Sequence, residues 1–386
     1  MKAAWRVTRL GDVTAVTAGQ SPEGSSYNDS GDGLPFYQGK KEFREKFIGP
    51  PTTWTTKTTK IALDGDILMS VRAPVGPINL ATEQCCIGRG LAAIRALNGL
   101  NRDFLYYYLL SKQEEICGAA GAIFPSISKT EIEKIPLAYP SAAEQQRIVV
   151  VLDKAFAAIA TARANTDKNL QNARALLQSY LDNLFAASNG HVKMRPLVSL
   201  CSYFADSAHR TPKYQTEGIP ALRPRDVVNG ELNLSEAARV SETEYEVQTK
   251  RRRPAPGDIV YSRELSYGWA TMLPESPRVC LSQGMCIFRP SHEVDAKYLL
   301  YMLNGPIGRQ QAEHAAVGTA HPHINLSDIK SYLIPFVPMP EQREISKTLS
   351  EIKSALCQIE HNCQKKIAAL DTLKQSLLHQ AFAGEL

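Results

Sequence analysis

The sequence predicts an α+β protein: two pseudo-symmetric globular domains separated by two long antiparallel coiled-coil helices. Three observations predict it. The chain is written twice, since residues 1–190 fall on residues 191–386 with similar segments in the same order. IPLAYPSAAEQQRI (135–148) meets IPFVPMPEQREI (334–345), LDGDILMSVR (63–72) meets PGDIVYSR (256–263), GLPFYQ (33–38) meets GIPALR (218–223), and GAIFPSI (121–127) meets GTAHPHI (318–324). The offset drifts from 185 at Gly33/Gly218 to 197 at Glu144/Glu341, so loops have changed length and the frame has not. The second observation is that each copy opens with a stretch dense in Gly, Pro and Thr, carrying short apolar runs that read as strands bounded by turns. The third is that each copy closes on a long segment whose apolar residues alternate four and three apart, the signature of a coiled-coil seam.

The first globular part covers 1–138, with strands expected at DILMSV (66–71) and LAAIRAL (91–97) and one short amphipathic helix at RDFLYYYLLSKQEEI (102–116). The first long helix occupies 139–190. It starts after Pro140, with Ser141 and Glu144 in capping-box spacing, and stops before Gly190. The second globular part, 191–337, repeats the pattern with DIVYS (258–262), MCIFRP (285–290) and the helix AKYLLYMLNGPIGRQQAE (296–313). The second long helix fills 338–386 and ends at Ala383, before Gly384. The mixture of strands and helices is what makes the class α+β.

The seam of the first long helix is expected at Ile148, Leu152, Ala155, Ile159, Ala162, Thr166, Ala173, Leu176 and Tyr180. The second repeats it 197 residues on, at Ile345, Leu349, Ile352, Leu356, Ile359, Cys363, Leu370, Leu373 and Leu377, with Leu170 and Ile367 as a further shared pair. Such a helix is roughly 70 Å long. With an apolar stripe it cannot stand alone in water, and its twin is the obvious partner. The plainer alternative docks each helix on its own domain.

Bulk numbers exclude several classes. The chain has 386 residues, 44% hydrophobic and 22% charged, which is ordinary for a globular protein with two real cores. Net charge is +5; 21 Lys+Arg against 18 Asp+Glu gives +3 for residues 1–190, and 23 against 21 gives +2 for the rest. The mild basic excess, shared by both copies, fits nucleic-acid binding. The eight cysteines contain no C-x-x-C and read as reduced, mostly buried thiols. No signal peptide and no membrane-length run is present in the sequence, so a cytoplasmic protein without membrane contact is expected.

The order of motifs is more informative than any one of them. EQQRI (144–148) and EQREI (341–345) open the long helices behind prolines. GDILMSVRAPVG (65–76) and GDIVYSRELSYG (257–268) open a strand in each copy, and LLHQAFAGEL (377–386) closes the chain. In this order and duplication, the whole chain resembles the specificity (S) subunit of type I restriction-modification systems. The resemblance implies a non-catalytic reader of double-stranded DNA that assembles with two modification (methyltransferase) subunits, joined in the full complex by restriction subunits that are ATP-dependent nucleases. It implies no cofactor on this chain, with S-adenosylmethionine on the partner methyltransferase that modifies adenine. It further implies an asymmetric bipartite target, one half-site per domain, with the helix pair as a ruler. Half-site centres about 34–36 Å apart are then reasonable.

The residues agree by omission. There is no Asn/Asp-Pro-Pro-aromatic tetrad and no F-x-G-x-G loop. GLPFYQGKK (33–41) has the wrong glycine spacing for a phosphate-binding loop and lacks its Ser/Thr. Glu351-Ile352-Lys353 lies on the second long helix with no upstream Pro-Asp and reads as a solvated face. His321 and His323 have as twins Phe124 and Ser126, which cannot bind a metal, and no Cys or carboxylate sits at ligand spacing, so a turn with incidental histidines and no metal is expected. The rival from another class is a coiled-coil protein-interaction scaffold without sequence-specific DNA binding.

Base reading needs planar donors and acceptors on rigid supports, and phosphate anchoring needs cations and hydroxyls. In the first domain the candidates are Gln38, Lys40, Lys41 and Arg44 after a strand, Arg72 after the Gly-Asp strand, and Arg89 between two glycines, where backbone can approach a ligand. In the second they are Arg223 and Arg225, at the places of Gln38 and Lys40, then Arg263, Tyr267 and Trp269, with Arg251 of the KRRR run (250–253) as a phosphate contact. Arg72 and Arg263 are expected to serve opposite half-sites. Against each stands the plain reading of a solvent-facing charge. Asp66 and Asp258 read as turn residues satisfying backbone donors. Tyr106, Tyr107 and Tyr301 read as core.

Overall fold

The computed structural model describes residues 5–119, 126–186, 192–208, 210–250 and 253–386. GAIFPSI lies outside them as far as residue 125, and so does Arg251. Two compact units emerge, Met1–Thr166 with Gln364–Leu386, and Asp167–Cys363.

In the first unit the expected strands form at Ile67–Ser70 and Leu91–Ala96. They pair antiparallel in a four-stranded sheet that also holds Thr14–Ala18 and Ile78–Leu80. A five-stranded sheet is built around Leu34–Tyr37, which runs parallel to Cys85–Ile87. Arg6–Arg9 pairs with Pro136–Tyr139. The second unit repeats the frame. Ile259–Ser262 and Met285–Pro290 lie together in a four-stranded sheet, Ile219–Leu222 runs parallel to Cys280–Leu281, and Lys193–Pro196 pairs with Leu333–Phe336. Strand-forming apolar residues thus sit where their runs placed them, buried on both faces: Ile67, Leu68 and Met69 are fully covered.

The Gly-Asp turns explain their own duplication. Gly65 and Gly257 both adopt φ +80, a region that favours glycine. The aspartate that follows is buried and accepts from the turn: Leu63 N donates to Asp66 at 2.8 Å, Ala255 N to Asp258 at 2.9 Å. Each carboxylate also takes a two-pronged arginine, Arg95 on Asp66 (2.7 and 2.8 Å) and Arg289 on Asp258 (2.6 and 3.0 Å). That hydrogen-bonded pairing holds the Arg95 and Arg289 guanidiniums above the ordinary arginine value.

Each single short helix expected from the sequence is two. Arg102–Ser111 is followed by Gln113–Ala119, and Ala296–Asn304 by Pro306–Ala315. In the second copy Gly305 caps one helix and Pro306 starts the next, where its missing N–H costs nothing. Tyr106 and Tyr107 are core in the first unit, and Tyr301 packs against the separate core of the second. The hydroxyl of Tyr107 donates to Asp153 at 2.5 Å, and that of Tyr301 bonds Ser350 at 3.0 Å, two equivalent ties from short helix to long helix.

The long helices span Ala142–Ala186 and Met339–Ala383, 45 residues each. The second ends in a Schellman arrangement, with Gly384 at φ 70 and Glu385 N donating to Gln380 O at 2.9 Å. At the first helix start, Glu144 does not close a capping box. Its carboxylate is held below the usual range by Arg147, which donates to it at 2.7 and 2.8 Å. The duplicated glutamine does the anchoring instead. Buried Gln145 accepts from Asn101 N (2.8 Å) and donates to Pro140 O (3.0 Å). Buried Gln342 accepts from Asp295 N (2.8 Å) and donates to Val337 O (2.8 Å) and Glu293 O (3.0 Å). Asn101 and Asp295 are the N-caps of the short helices, so one side chain locks two helix starts together.

The seam is partly corrected. Ile148, Leu152, Ile159, Ile345 and Leu349 are buried, and Leu356 and Leu370 half-buried. Ile148 and Leu152 join the core that contains Phe104, and Ile345 and Leu349 the core that contains Tyr298, so each helix begins docked on its domain. Within the first unit Arg147 donates to Leu386 O (2.6 Å) and Arg163 pairs with Asp371 (2.7 Å), which makes the two helical segments there antiparallel. Phe382 lies edge-on to Phe104 and Tyr108, which accounts for the closing AFAGEL. Leu176, however, is 72% exposed, and Leu177 packs on the core in its place. Ile359 and Leu373 are exposed as well. The covered positions run 162, 166, 170, 173, 177 in one helix and 352, 356, 360, 363 in the other. Two successive four-residue steps shift the stripe by one, because a straight helix at 3.6 residues per turn drifts about 20° per heptad from a strict seven-residue repeat.

Candidate nucleic-acid interface

The parallel strand pair in each unit ends abruptly, and the two turns that follow lie side by side. In the first unit Tyr37 is level with Ile87, so Gln38 and Arg89 emerge together. Gly88 N donates to Tyr37 O (2.8 Å) and Gly90 N to Gln38 O (3.1 Å). A Cβ at Gly88 would stand 2.5 Å from Gln38 Oε1, and one at Gly90 2.5 Å from Gln38 O. The two glycines flanking Arg89 therefore serve close packing on Gln38, not the approach of a ligand. Ser21 Oγ donates to Gln38 Oε1 at 2.9 Å and accepts from Arg89 N at 3.3 Å. Val71 N donates to Gly90 O (2.9 Å), which brings Arg72 to the same rim. Gln38, Lys40, Lys41, Arg72 and Arg89 are all exposed. The structure thus gathers Gln38, Arg72 and Arg89, with Lys40 and Lys41 on the short turn Lys40–Glu42 beyond them. Arg44 stands apart, lining a cavity of about 590 Å³ with Tyr106, Tyr107 and Phe156.

In the second unit Leu222 is level with Leu281, and Ser282 N donates to Leu222 O at 2.8 Å, matching Gly88 to Tyr37. Arg223 takes the place of Gln38, but it is withdrawn. Its side chain is 18% exposed and donates twice to Asp226 (both 3.1 Å) and once to Glu236 O (2.8 Å). A guanidinium with three donations committed inside its own loop is a loop brace. Arg225 next to it is exposed.

Arg263 is also corrected, for two reasons. Its N donates to Gly284 O (2.8 Å) as Val71 N does to Gly90 O, so its structural twin is Val71. Arg72 corresponds to Glu264, and the isolated bridges Arg72↔Ser126 and Glu264↔His323 agree. Moreover, the Arg263 side chain is 13% exposed, donating to Asp206 (2.5 Å) and Ile324 O (3.2 Å). Tyr267 and Trp269 are half-buried packing residues. Tyr267 O accepts from Arg309 (2.9 Å), and that guanidinium lies 4.2 Å from the Trp269 ring.

One residue on this rim escaped sequence reasoning. Gln283, in LSQGM (281–285), is exposed and occupies the place of Arg89 in IGRGL (87–91). Lining those two pentapeptides up at a constant offset of 194 would have found it. The same frame therefore presents Gln38, Arg89 and Arg72 in one unit; at the matching places of the other stand withdrawn Arg223, exposed Gln283 and half-buried Glu264.

A model of the type I restriction modification DNA specificity domain matches residues 2–170 and again 192–369. The chain belongs to that family. As a family member it is a type I specificity subunit, and DNA binding follows from the family. The MjaX type I restriction enzyme specificity subunit of Methanocaldococcus jannaschii is 42% identical over 149 residues, 37% of this chain and 35% of that protein. The EcoDI specificity subunit of Escherichia coli is 22% identical over 417 aligned positions, 99% of this chain and 88% of the relative. A chain solved in work on complex assembly and conformational transition of the type I R-M system superposes with a TM-score of 0.80 at 18% identity, covering all of both chains. That likeness concerns the fold.

Among the described residues of this specificity subunit, no group of three or more His, Cys, Asp or Glu is placed to hold a metal, and no helix is long and apolar enough to cross a membrane. Cys85, Cys86, Cys280 and Cys286 are buried. Burial pushes the Cys85 and Cys280 thiols up to about 12, which leaves them poor nucleophiles.

Proposed function

We propose that this chain is the non-catalytic DNA reader of a type I complex, recognising an asymmetric bipartite target with one half-site per domain. The observation that carries the proposal is the repeated frame with unlike side chains. Two equal turns at the ends of two equal parallel strand pairs present Gln38 and Arg89 in one unit and Gln283 in the other, with Arg72 beside the first pair of turns and half-buried Glu264 at the matching place beside the second. One geometry with two chemistries is what a reader of two different half-sites needs, since Gln, Arg and Glu select adenine, guanine and cytosine respectively.

In this reading the chain recruits two methyltransferase subunits, and restriction subunits in the full complex. S-adenosylmethionine belongs on the methyltransferase partner and this chain carries no cofactor. The 45-residue helices form an antiparallel coiled coil that sets the gap between half-sites. The exposed cations Lys40, Lys41 and Arg225 anchor phosphates, which predicts a steep loss of affinity with salt.

The test is to co-express the chain with its cognate methyltransferase and map adenine methylation across a host genome. A split motif with a fixed gap, lost when this chain is deleted, is the expected result. Absent methylation, with weak and salt-insensitive DNA binding by the chain, would instead favour a protein-interaction scaffold.

A further inference from the structure

The amide of Gln38 is held in one orientation before any DNA arrives. Gln38 follows directly on the parallel strand Leu34–Tyr37, and the glycines at 88 and 90 let neighbouring backbone close against it. The Arg89 backbone N–H can only donate, and it donates to Ser21 Oγ (3.3 Å). Ser21 is left with its own hydrogen, directed at Gln38 Oε1 (2.9 Å). This short relay sets which end of the amide is oxygen, an assignment otherwise open for a glutamine. One lone pair of Oε1 is used by Ser21. Among the described residues nothing takes the second lone pair or either Nε2 hydrogen, and the side chain is exposed. An acceptor beside a donor, in the plane of one amide, is the complement of the N6 and N7 edge of adenine in the major groove.

We infer that Gln38, oriented by Ser21, reads an adenine in the half-site of the first domain. The inference rests on the proposed DNA-reading function and adds to it a base, a reading residue and a positioning residue. Ser21 touches no base; it removes the half of the rotamer population in which the amide presents a donor to the adenine amino group.

The experiment is methylation-motif mapping with the chain co-expressed with its methyltransferase, comparing wild type with Gln38→Ala, Gln38→Glu, Ser21→Ala and Ser21→Thr. Thermal denaturation of each purified variant separates misfolding from misreading. Gln38→Ala should relax a single A·T position of one half-site, cutting discrimination about 5- to 150-fold, the range of a lost two-point contact. Gln38→Glu keeps an acceptor but loses the donor, so the same position should change its preferred base. Ser21→Ala should relax the same position less, and Ser21→Thr, which keeps the hydroxyl, should restore it. The other half-site stays unchanged throughout. A split wild-type motif whose every position survives both Gln38 variants overturns this inference and leaves the function standing. A uniform loss across all positions, with native thermal stability, also overturns it, because that marks a phosphate contact. Relaxation by Gln38→Ala with no effect of Ser21→Ala overturns the positioning role. A wild-type chain that yields no split motif takes down both readings.

Discussion

Changing Arg263 to Ala should destabilise the second unit and leave base choice alone, the reverse of what its sequence position suggests. The guanidinium is 13% exposed and so is its partner Asp206; they meet at 2.5 Å, and Nε makes a further bond to Ile324 O at 3.2 Å. Breaking a buried pair by deleting one partner costs about 3–5 kcal/mol, while exposed pairs contribute at most about 1. With both groups slightly exposed, about 2–4 kcal/mol is the reasonable magnitude. For a unit of this size, that lowers the midpoint by roughly 5–15 °C. Arg263→Lys keeps the charge but loses the fork, and should fall between the two. Differential scanning calorimetry of the full chain reads the loss, and motif mapping at a permissive temperature reads the specificity. A variant that melts like wild type but alters the second half-site would refute the reasoning, since Arg263 would then face DNA.

Gln342→Ala removes three hydrogen bonds that lock the second long helix to the neighbouring helix cap, and should cost about 3–4 kcal/mol in denaturant unfolding; exposed Gln146→Ala should cost under about 0.5. Gln283→Ala should relax one position of the second half-site by about tenfold or more in competition binding, with the first half-site intact. Leu177→Ala should cost about 1–2 kcal/mol because it packs on the core, whereas 72%-exposed Leu176→Lys should stay within about 0.5; equal losses in a melting comparison would restore the strict heptad.

The frame was readable because it rests on short-range chemistry. Gly-Asp turns need a left-handed glycine and a carboxylate that caps them, and Asp66 and Asp258 do what the dipeptide implies. Apolar runs such as ILMS and IVYS become buried strands because nothing else can cover them. The role of the duplicated Gln145 and Gln342 was not readable: their partners are backbone groups 44 and 47 residues away. Leu176 failed because periodicity alone does not reveal a one-residue shift in the stripe. That Arg223 and Arg263 turn inward was hidden for a common reason. An exposed loop arginine and a buried one look alike until the acidic partner is placed, and for Arg263 that partner, Asp206, lies 57 residues upstream.

The withdrawn arginine also bears on the proposal that two copies of one frame read two unlike half-sites. Asp226 sits three residues after Arg223, and the corresponding position after Gln38 is Lys41. Where a carboxylate stands there, it captures the arginine and braces the loop; where Lys41 stands there, that position offers no carboxylate, and the Gln38 amide is oriented by Ser21. On the proposed function, base recognition in the second unit falls to the neighbouring turn, where Gln283 stands in the place of Arg89. The consequence is sharp: Asp226→Asn in the second domain should loosen Arg223 and add guanine preference to a half-site that had relied on Gln283. Motif mapping of that variant should show a new position next to the one Gln283 reads. An unchanged motif, with the second unit merely less stable, would mean that Arg223 is a brace by construction and not a reader held back by its neighbour.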